Sequence, residues 1–323
     1  MLSIKHLRYF AALAQHRHFG RAADACAISQ PALSLQIKDL EDLLGAQLVE
    51  RDRRQIRLTS LGEAFAARAR HILRAVDELA DLARASSPTL DGRLRIGMIP
   101  TVAPYLLPAV IRRLAERFPA VDLRPREAVT GKLTEDLING SLDVAVMALP
   151  ASEPSLQDHP LFDEEFVLVR ALADRHKPPP SVESLRTMRL LLLEEGHCFR
   201  DQALAFCNMA SGLAQDPMEG SSLATLVRMV GAGMGVTLIP EMAVAAETAA
   251  VEVGIARLAE PRPRRSIGLV WRKTNPLAEH FLQVGEIVRQ EHDILRGHRD
   301  AARQLASGSA DRSDHAGDLV DHP

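Results

Sequence analysis

The sequence predicts an α/β domain of two subdomains, preceded by a helical module with a short β hairpin and by one long linking helix. Three observations support this order. Apolar residues recur at helical spacing through residues 1–88. From Gly92 onward, strand-like and helix-like stretches alternate, which is typical of a sheet covered by helices. The length of 323 residues is sufficient for two or three domains.

The changes in pattern set the predicted limits. They are residues 1–59 for the helical module, 60–88 for the linking helix, 89–295 for the α/β domain and 296–323 for a tail. Within the α/β domain, one subdomain comprises 92–163 and 267–295, and the other comprises 164–266. We expect the tail to be disordered because it is rich in Ala, Ser, Asp and His.

Composition excludes several classes of protein. No run approaches the roughly 18 apolar residues of a membrane span, and the N-terminus lacks the apolar core of a signal peptide. Three cysteines, an odd number, indicate the reducing cytoplasm rather than a secreted disulfide framework. Residues 1–90 carry a net charge of +3 and the remainder −6, which favours a nucleic-acid surface in the N-terminal part.

The N-terminal module is predicted to be an all-α helix-turn-helix. A first helix extends to about Arg17, and a short Ala-rich segment spans 21–27. Ser29 is a suitable N-cap for a longer helix with Pro31 in its first turn, and Gly45 ends it. The buried face of that helix is predicted to hold Leu33, Ile37, Leu40 and Leu44. A plain helical bundle is the alternative on pattern alone.

The second helix of such a motif places its first residues against base edges in the DNA major groove. A basic hairpin from the strands 48–51 and 55–58 would form a wing that contacts phosphate. Cys26 is expected to be a small buried apolar residue. The predicted contacts are Gln30, Pro31 and Ser34 to bases, and Ser29, Lys38, Arg51, Arg53 and Arg54 to phosphates.

The linking helix is predicted to start with a capping box of Ser60 and Glu63. Its apolar residues step by four and three, the pattern of a coiled-coil seam. Such a seam predicts a dimer through this helix, with packing against the same chain as the alternative. The seam consists of Phe65, Ala69, Ile72, Val76, Leu79 and Ala83.

The α/β domain carries a cysteine pair in an unusual setting. A strand-like run at 189–193 is broken by Gly196, and a helical pattern then contains Cys198 and Cys207. The flanking His197 and Arg200, as cations, and the free N–H groups of a helix start favour a thiolate at Cys198. Nine helical residues rise roughly 13 Å, whereas a disulfide needs Cα atoms roughly 4.4–6.8 Å apart. A bond between the two would therefore require remodelling of the helix, as in a redox switch.

Other interpretations of this region remain. The cysteines could be inert thiols in a core helix, or they could bind zinc with His197 if a fourth ligand exists. The glycines at 231–235 follow a helix and precede a strand, the wrong order for a phosphate-binding loop. We interpret them as a helix terminator.

The motif Gly-His-Cys-Phe-Arg-Asp-Gln at 196–202, with a second cysteine nine residues after the first, resembles the sensing loop of the OxyR-type peroxide sensors. These sensors are a branch of the LysR family of bacterial transcription regulators. The resemblance covers about residues 1–290 and implies a periplasmic-binding-protein-like regulatory domain behind a winged helix-turn-helix. The N-terminal segments that resemble the family are 7–10, 21–23, 29–34, 40–45 and 58–62.

The resemblance implies a mechanism. Hydrogen peroxide would oxidise Cys198, the peroxidatic residue, and Cys207 would resolve the product as a disulfide. Thr101, and more weakly Thr130, could hold the peroxide. His197, Arg200 and Arg265 would polarise it or favour the thiolate, and Asp201 would orient Arg200. Phe199 and the residues between 203 and 206 are expected to vary freely.

The expected partners are double-stranded DNA with a two-fold operator, hydrogen peroxide, cellular thiol reductants and RNA polymerase. The resemblance further implies a homotetramer. No cofactor and no metal are expected, and the protein is not an enzyme because the chemistry consumes it. One alternative is a LysR regulator that responds to a small organic ligand in the same cleft. A thiol peroxidase is disfavoured by the DNA-binding module.

Overall fold

The structure, a computed structural model, describes residues 1–51, 56–206 and 218–313. The chain divides into two compact units, Met1–Ser87 and Pro88–Pro323. None of the described helices combines the length and apolar character needed to cross a membrane.

The N-terminal unit consists of three short helices, a two-stranded hairpin and one long helix. As predicted, Ser29 caps the third helix and Gly45 ends it. The apolar side chains of the first three helices form the core, with Phe10, Leu13, Leu33 and Ile37 almost fully buried. In chain order the elements are α1 (Ile4–His16), α2 (Phe19–Ala25), α3 (Gln30–Leu44), β1 (Val49–Arg51), β2 (Ile56–Leu58) and α4 (Ser60–Ala85).

The start of α4 differs from the prediction. Thr59, not Ser60, is the N-cap, and its Oγ1 accepts a hydrogen bond from Gly62 N at 2.9 Å. The carboxylate of Glu63 pairs with Arg17 of α1 at 2.6 Å instead of capping its own helix. A Cβ on Gly62 would lie 2.1 Å from the Leu48 carbonyl oxygen. The helix therefore starts in close contact with the hairpin, and this contact excludes side chains larger than hydrogen.

The predicted seam of α4 falls into two parts. Its first part packs within the unit: the ring of Phe65 contacts Phe10 edge to face at 5.3 Å, and Ala69 is buried. In the rest of the seam Ile72, Leu79 and Ala83 are exposed, Leu79 by 67%, and Val76 is half-buried. Leu82, outside the predicted seam, is also exposed, so Ile72, Leu79 and Leu82 form an exposed apolar stripe. Packing against the same chain therefore explains the start of the seam but not its C-terminal half.

The second unit contains the predicted alternation of strands and helices. Its strands are β3 (Gly92–Met98), β4 (Val121–Glu127), β5 (Val144–Ala148), β6 (Leu156–Ala171), β7 (Leu192–Leu193), β8 (Glu219–Gly220), β9 (Thr237–Pro240), β10 (Val253–Arg257) and β11 (Arg264–Arg272). Its helices are α5 (Ala103–Arg117), α6 (Thr130–Ile138), α7 (Val182–Thr187), α8 (Cys198–Phe206), α9 (Leu223–Gly231), α10 (Val244–Glu247) and α11 (Ala278–Ser313). The glycine-rich stretch after α9 ends that helix, as interpreted.

One long strand joins the two halves of the sheet. The strand order is β10-β6-β11-β5-β3-β4, with β9 also paired to β6. The first part of β6 pairs with β11, and its last residues pair with β10 and β9. Two sheet regions therefore share one continuous strand. This is the curled, mixed sheet expected of a domain built from two subdomains.

The C-terminal helix is longer than predicted. The sequence predicts a disordered tail over 296–323, but α11 continues to Ser313, and residues 314–323 lie outside the described residues. Its middle is held by tertiary contacts: His292 stacks on Phe162 with ring centroids 3.7 Å apart, and Arg299 pairs with Glu241 at 3.5 Å. Such contacts offset the free-energy cost of starting a helix, and the alanines that follow in the sequence favour its continuation.

Candidate redox site

A sharp break between β7 and α8 positions Cys198. Gly196 has φ +94, a conformation that favours glycine, and a Cβ there would lie 3.7 Å from the side chain of Val129. Two residues later Cys198 begins α8, half-buried and with a free thiol. The thiol therefore lies at the start of a nine-residue helix, where backbone N–H groups have no partner within the helix.

His197 is half-buried, and burial lowers its pKa below the usual range. The carboxylates of Glu194 and Glu127 oppose this effect. A histidine with a lowered pKa is neutral at pH 7. Desolvation therefore disfavours the cationic form of His197 beside Cys198, and the predicted role of this residue stays a prediction. A neutral imidazole can still donate or accept one hydrogen bond.

Arg200 is tied to the strands that flank the sensing segment. Its Nη1 donates to the Leu193 carbonyl oxygen at 2.9 Å and to Glu219 Oε1 at 2.6 Å. The predicted orienting partner, Asp201, is exposed. The carboxylate that pairs with Arg200 is that of Glu219, which is distant in sequence and reaches Arg200 because β8 lies beside β7.

Thr101 and Arg265 meet in a buried polar cluster. Arg265 Nη1 donates to Thr101 Oγ1 at 2.7 Å, and Nη2 donates to the Thr101 carbonyl oxygen at 3.1 Å. On its other side Arg265 pairs with Glu164 at 2.8 Å, and Glu164 Oε1 accepts from Met242 N at 2.8 Å. The side chains of Arg265 and Glu164 are 0% and 2% exposed. Burial raises the pKa of Glu164, and the Arg265 guanidinium opposes that rise.

Phe199 connects this cluster to the cysteine. It is buried, with the Arg265 guanidinium 5.4 Å from its ring centroid and Phe166 at 4.7 Å in an edge-to-face contact. Ala203 and Leu204 are buried on the same helix. Burial of Phe199 and Leu204 limits the side chains that fit at these two positions, whereas Ala205 is exposed. Phe199 fixes α8 in the core. Because Phe199 directly follows Cys198, its contact with Arg265 brings the polar cluster close to the start of α8.

Thr130 begins α6, next to Val129, the residue that faces Gly196. Its Oγ1 is buried and has no hydrogen-bond partner among the residues that the structure describes. A buried hydroxyl without a partner is uncommon in proteins. Thr130 therefore offers a free donor and acceptor close to the sensing loop.

Sequence reasoning missed Glu164 and Glu219. Glu164 lies opposite Arg265 in the register of β6 and β11, and Glu219 lies opposite Leu192. Neither pairing follows from local pattern, although an acidic residue directly before the apolar run at 166–169 could have indicated Glu164. Three predicted residues, Cys207, Arg53 and Arg54, lie outside the described residues.

The described DNA-contact candidates of α3 lie on its first three turns. Ser29, Gln30 and Pro31 are exposed at the start of α3, with Ser34 half-buried and Lys38 exposed on the following turns. The Ser29 hydroxyl accepts from Ala32 N at 3.3 Å, so it is used within the helix cap. Arg51 ends β1. The first turns of α3 thus present an accessible surface of small and polar side chains.

Two family models match the chain. The one described as "Bacterial regulatory helix-turn-helix protein, lysR family" matches residues 4–63, and "LysR substrate binding domain" matches residues 88–293. A curated relative, the "DNA-binding transcriptional dual regulator OxyR" of Escherichia coli K12, is 42% identical over 309 residues, which is 94% of this chain and 100% of the relative.

Solved structures are similar over almost the same length. A full-length OxyR of Pseudomonas aeruginosa with a cysteine-to-aspartate substitution has a TM-score of 0.72 at 35% identity, covering 90% of this chain and 95% of the other. An OxyR cysteine-to-serine mutant of Corynebacterium glutamicum, described as bound to hydrogen peroxide, has a TM-score of 0.63 at 34% identity, covering 91% and 93%.

Proposed function

Because this chain belongs to the LysR family of bacterial transcription regulators, we propose that it is a cytoplasmic, DNA-binding sensor of hydrogen peroxide. A reversible disulfide between Cys198 and Cys207 switches it and thereby controls oxidative-stress defence genes. The observation that carries the proposal is the free, half-buried thiol of Cys198 at the start of α8. The similarity to OxyR proteins over nearly the whole chain supports it.

The length of α8 supports a switch that involves a change of shape. From Cys198 to Phe206 an α-helix advances about 12 Å. Cys207 is bonded to Phe206, and neighbouring Cα atoms are about 3.8 Å apart. As long as α8 keeps this length, the Cα atoms of the two cysteines are at least about 8 Å apart. That exceeds the roughly 4.4–6.8 Å of a disulfide, so bond formation must unwind part of α8.

The reaction is balanced without a cofactor. The Cys198 thiolate attacks one peroxide oxygen, the O–O bond breaks, and hydroxide leaves as water after protonation. The Cys207 thiol then attacks the sulfur of the sulfenic acid, the S–O bond breaks, and a second water leaves. One peroxide is reduced to two waters while two thiols become one disulfide. Cellular thiols reverse the step, so each chain reacts once per signal and is not an enzyme.

The surrounding side chains fit roles in peroxide binding. Thr101 Oγ1 already accepts from Arg265, so its own O–H remains free to donate to peroxide. The buried, unpaired Thr130 hydroxyl and the neutral His197 imidazole can supply further hydrogen bonds. Arg265 holds Thr101 in place and contributes positive charge near α8. Arg200, paired with Glu219, connects α8 to the neighbouring strands.

The N-terminal unit is assigned to operator DNA. We expect Gln30→Ala to weaken binding to the protein's own upstream region by about 1–3 kcal/mol, because it removes a base-edge contact. Binding to unrelated DNA should change little. Lys38→Ala should weaken binding to the two DNAs equally, because it removes a phosphate contact. It should also lower the slope of log K against log salt concentration by about one. Fluorescence anisotropy across a salt series measures both. An equal loss on both DNAs for Gln30→Ala would contradict a role in sequence recognition.

The exposed stripe on α4 is the proposed contact surface of a homodimer. A homotetramer and contact with RNA polymerase are also expected. Leu79→Glu should raise the dimer dissociation constant by about 100-fold or more, because each dimer loses two leucines worth about 1.5–3 kcal/mol each. Ala80→Glu adds the same charge at the next, exposed residue and is the matched control. Sedimentation at micromolar concentration distinguishes the two. A dimer unchanged by Leu79→Glu would place the contact elsewhere.

A further inference from the structure

The sensing segment is closed at its base by a short parallel pairing. Leu192 and Leu193 of β7 lie beside Glu219 and Gly220 of β8. Two further hydrogen bonds extend this stem, from Leu192 N to the Met218 carbonyl oxygen at 3.1 Å and from Glu194 N to the Gly220 carbonyl oxygen at 3.1 Å. The chain leaves β7, forms α8 and returns to β8. Any rearrangement that brings Cys198 to Cys207 takes place within this closed loop.

Arg200 is the side chain of α8 that contacts both strands of the stem. The same nitrogen, Nη1, donates to the β7 carbonyl of Leu193 and to the β8 carboxylate of Glu219. Its side chain is only 12% exposed, and that of Glu219 is 37% exposed. A charged hydrogen bond with one partner largely removed from water is stronger than a surface ion pair.

From this arrangement we infer that Glu219 is a positioning residue of the redox switch: with Arg200 it forms a latch that holds α8 in the dithiol form. The inference rests on the proposed function. Arg200 lies two residues after Cys198, within the first turn of α8. A disulfide to Cys207 requires part of α8 to unwind, and that movement separates Arg200 from Glu219. The latch therefore stabilises the dithiol form only.

Loss of the latch destabilises the dithiol relative to the disulfide, so the disulfide forms at a more negative potential. A hydrogen bond between charged groups is worth on the order of a tenfold change in an equilibrium constant, which for this two-electron couple is about 30 mV. Glu219→Gln keeps the size of the side chain and removes the charge. Glu195→Gln removes one exposed carboxylate from the same loop and is the matched control.

The experiment uses the full chain, equilibrated in thiol–disulfide buffers and quantified by alkylation and mass spectrometry of the bond between Cys198 and Cys207. We expect Glu219→Gln to shift the midpoint by about 30 mV to more negative potential and Glu195→Gln to leave it in place. Glu219→Asp retains the charge on a shorter side chain, and its midpoint potential should lie between those of wild type and Glu219→Gln. Hydrogen exchange of 198–206 in the dithiol form should increase in Glu219→Gln and stay unchanged in Glu195→Gln.

The outcomes distinguish a failure of the latch from a failure of the proposed peroxide switch. An unchanged or more positive midpoint in Glu219→Gln, or an equal shift in Glu195→Gln, would overturn the latch while the peroxide switch stands. If wild-type protein forms no bond between Cys198 and Cys207 at any potential, the proposed function itself fails. Circular dichroism of the reduced variants verifies folding, and a shift in Glu219→Asp provides the same test if Glu219→Gln does not fold.

Discussion

Replacement of Cys198 by serine is expected to abolish both the peroxide-induced disulfide and the transcriptional response. The serine hydroxyl does not ionise near pH 7 and cannot attack the O–O bond as a thiolate does. Treatment with micromolar peroxide, mass spectrometry of the two thiols and a reporter driven by the protein's own upstream region measure the loss. A full response in this variant would exclude the mechanism and favour a regulator of a small organic ligand.

Two variants control this experiment. Cys26→Ser removes the other described thiol, which is also half-buried and whose pKa burial raises, so that little thiolate forms. It should respond as the wild type does. Cys207→Ser retains the attacking thiol but lacks the resolving one, so a sulfenic acid should accumulate at Cys198 and be trapped by a dimedone probe. Equal trapping in Cys198→Ser would place the reactive thiol elsewhere.

Replacement of Arg265 by methionine is expected to lower the free energy of unfolding of the reduced protein by about 3–5 kcal/mol. The reason is that Glu164 would remain buried without its guanidinium partner, and Thr101 would lose two donors. The single tryptophan, Trp271, lies buried on the same strand and reports unfolding of the sheet by fluorescence in a urea titration.

Neighbouring variants test this assignment. Arg264→Met changes the adjacent, exposed arginine and should alter the unfolding free energy by less than about 0.5 kcal/mol. The double variant Arg265→Met with Glu164→Leu should recover part of the loss, because no buried charge is then left unpaired. Recovery is incomplete since Met242 N also loses its acceptor. A double variant as unstable as Arg265→Met would contradict the charge argument.

Local pattern was sufficient for much of the fold. The Ser29 cap, the Gly45 terminator and the succession of strands and helices in the second unit were predicted from apolar spacing and capping residues. These signals act over a few residues, so they are readable along the chain. The predicted N-cap of α4, Ser60, is one residue too late, because Thr59 and Ser60 both carry a suitable hydroxyl. In the structure Thr59 is fixed as the cap by two further hydrogen bonds, from its N to the Leu48 carbonyl oxygen and from its Oγ1 to the Gln47 carbonyl oxygen, each 3.0 Å.

The site residues divide in the same way. The cysteines, Arg200 and Arg265 are candidates predicted from the sequence, but the carboxylates that pair with the two arginines were not predicted. Glu219 and Glu164 reach Arg200 and Arg265 through strand pairing between distant parts of the chain. The lowered pKa of His197 depends on burial, which the sequence does not show.

The sequence by itself determined the family, the order of modules and the cysteine spacing that makes a direct disulfide incompatible with an intact helix, because each depends on residue identity and local spacing. Only the tertiary structure decided which carboxylates hold the two arginines, that Phe199 fixes α8 in the core, and where the α4 stripe is exposed. Those properties depend on contacts and loss of solvent, which arise only when segments far apart in sequence pack together.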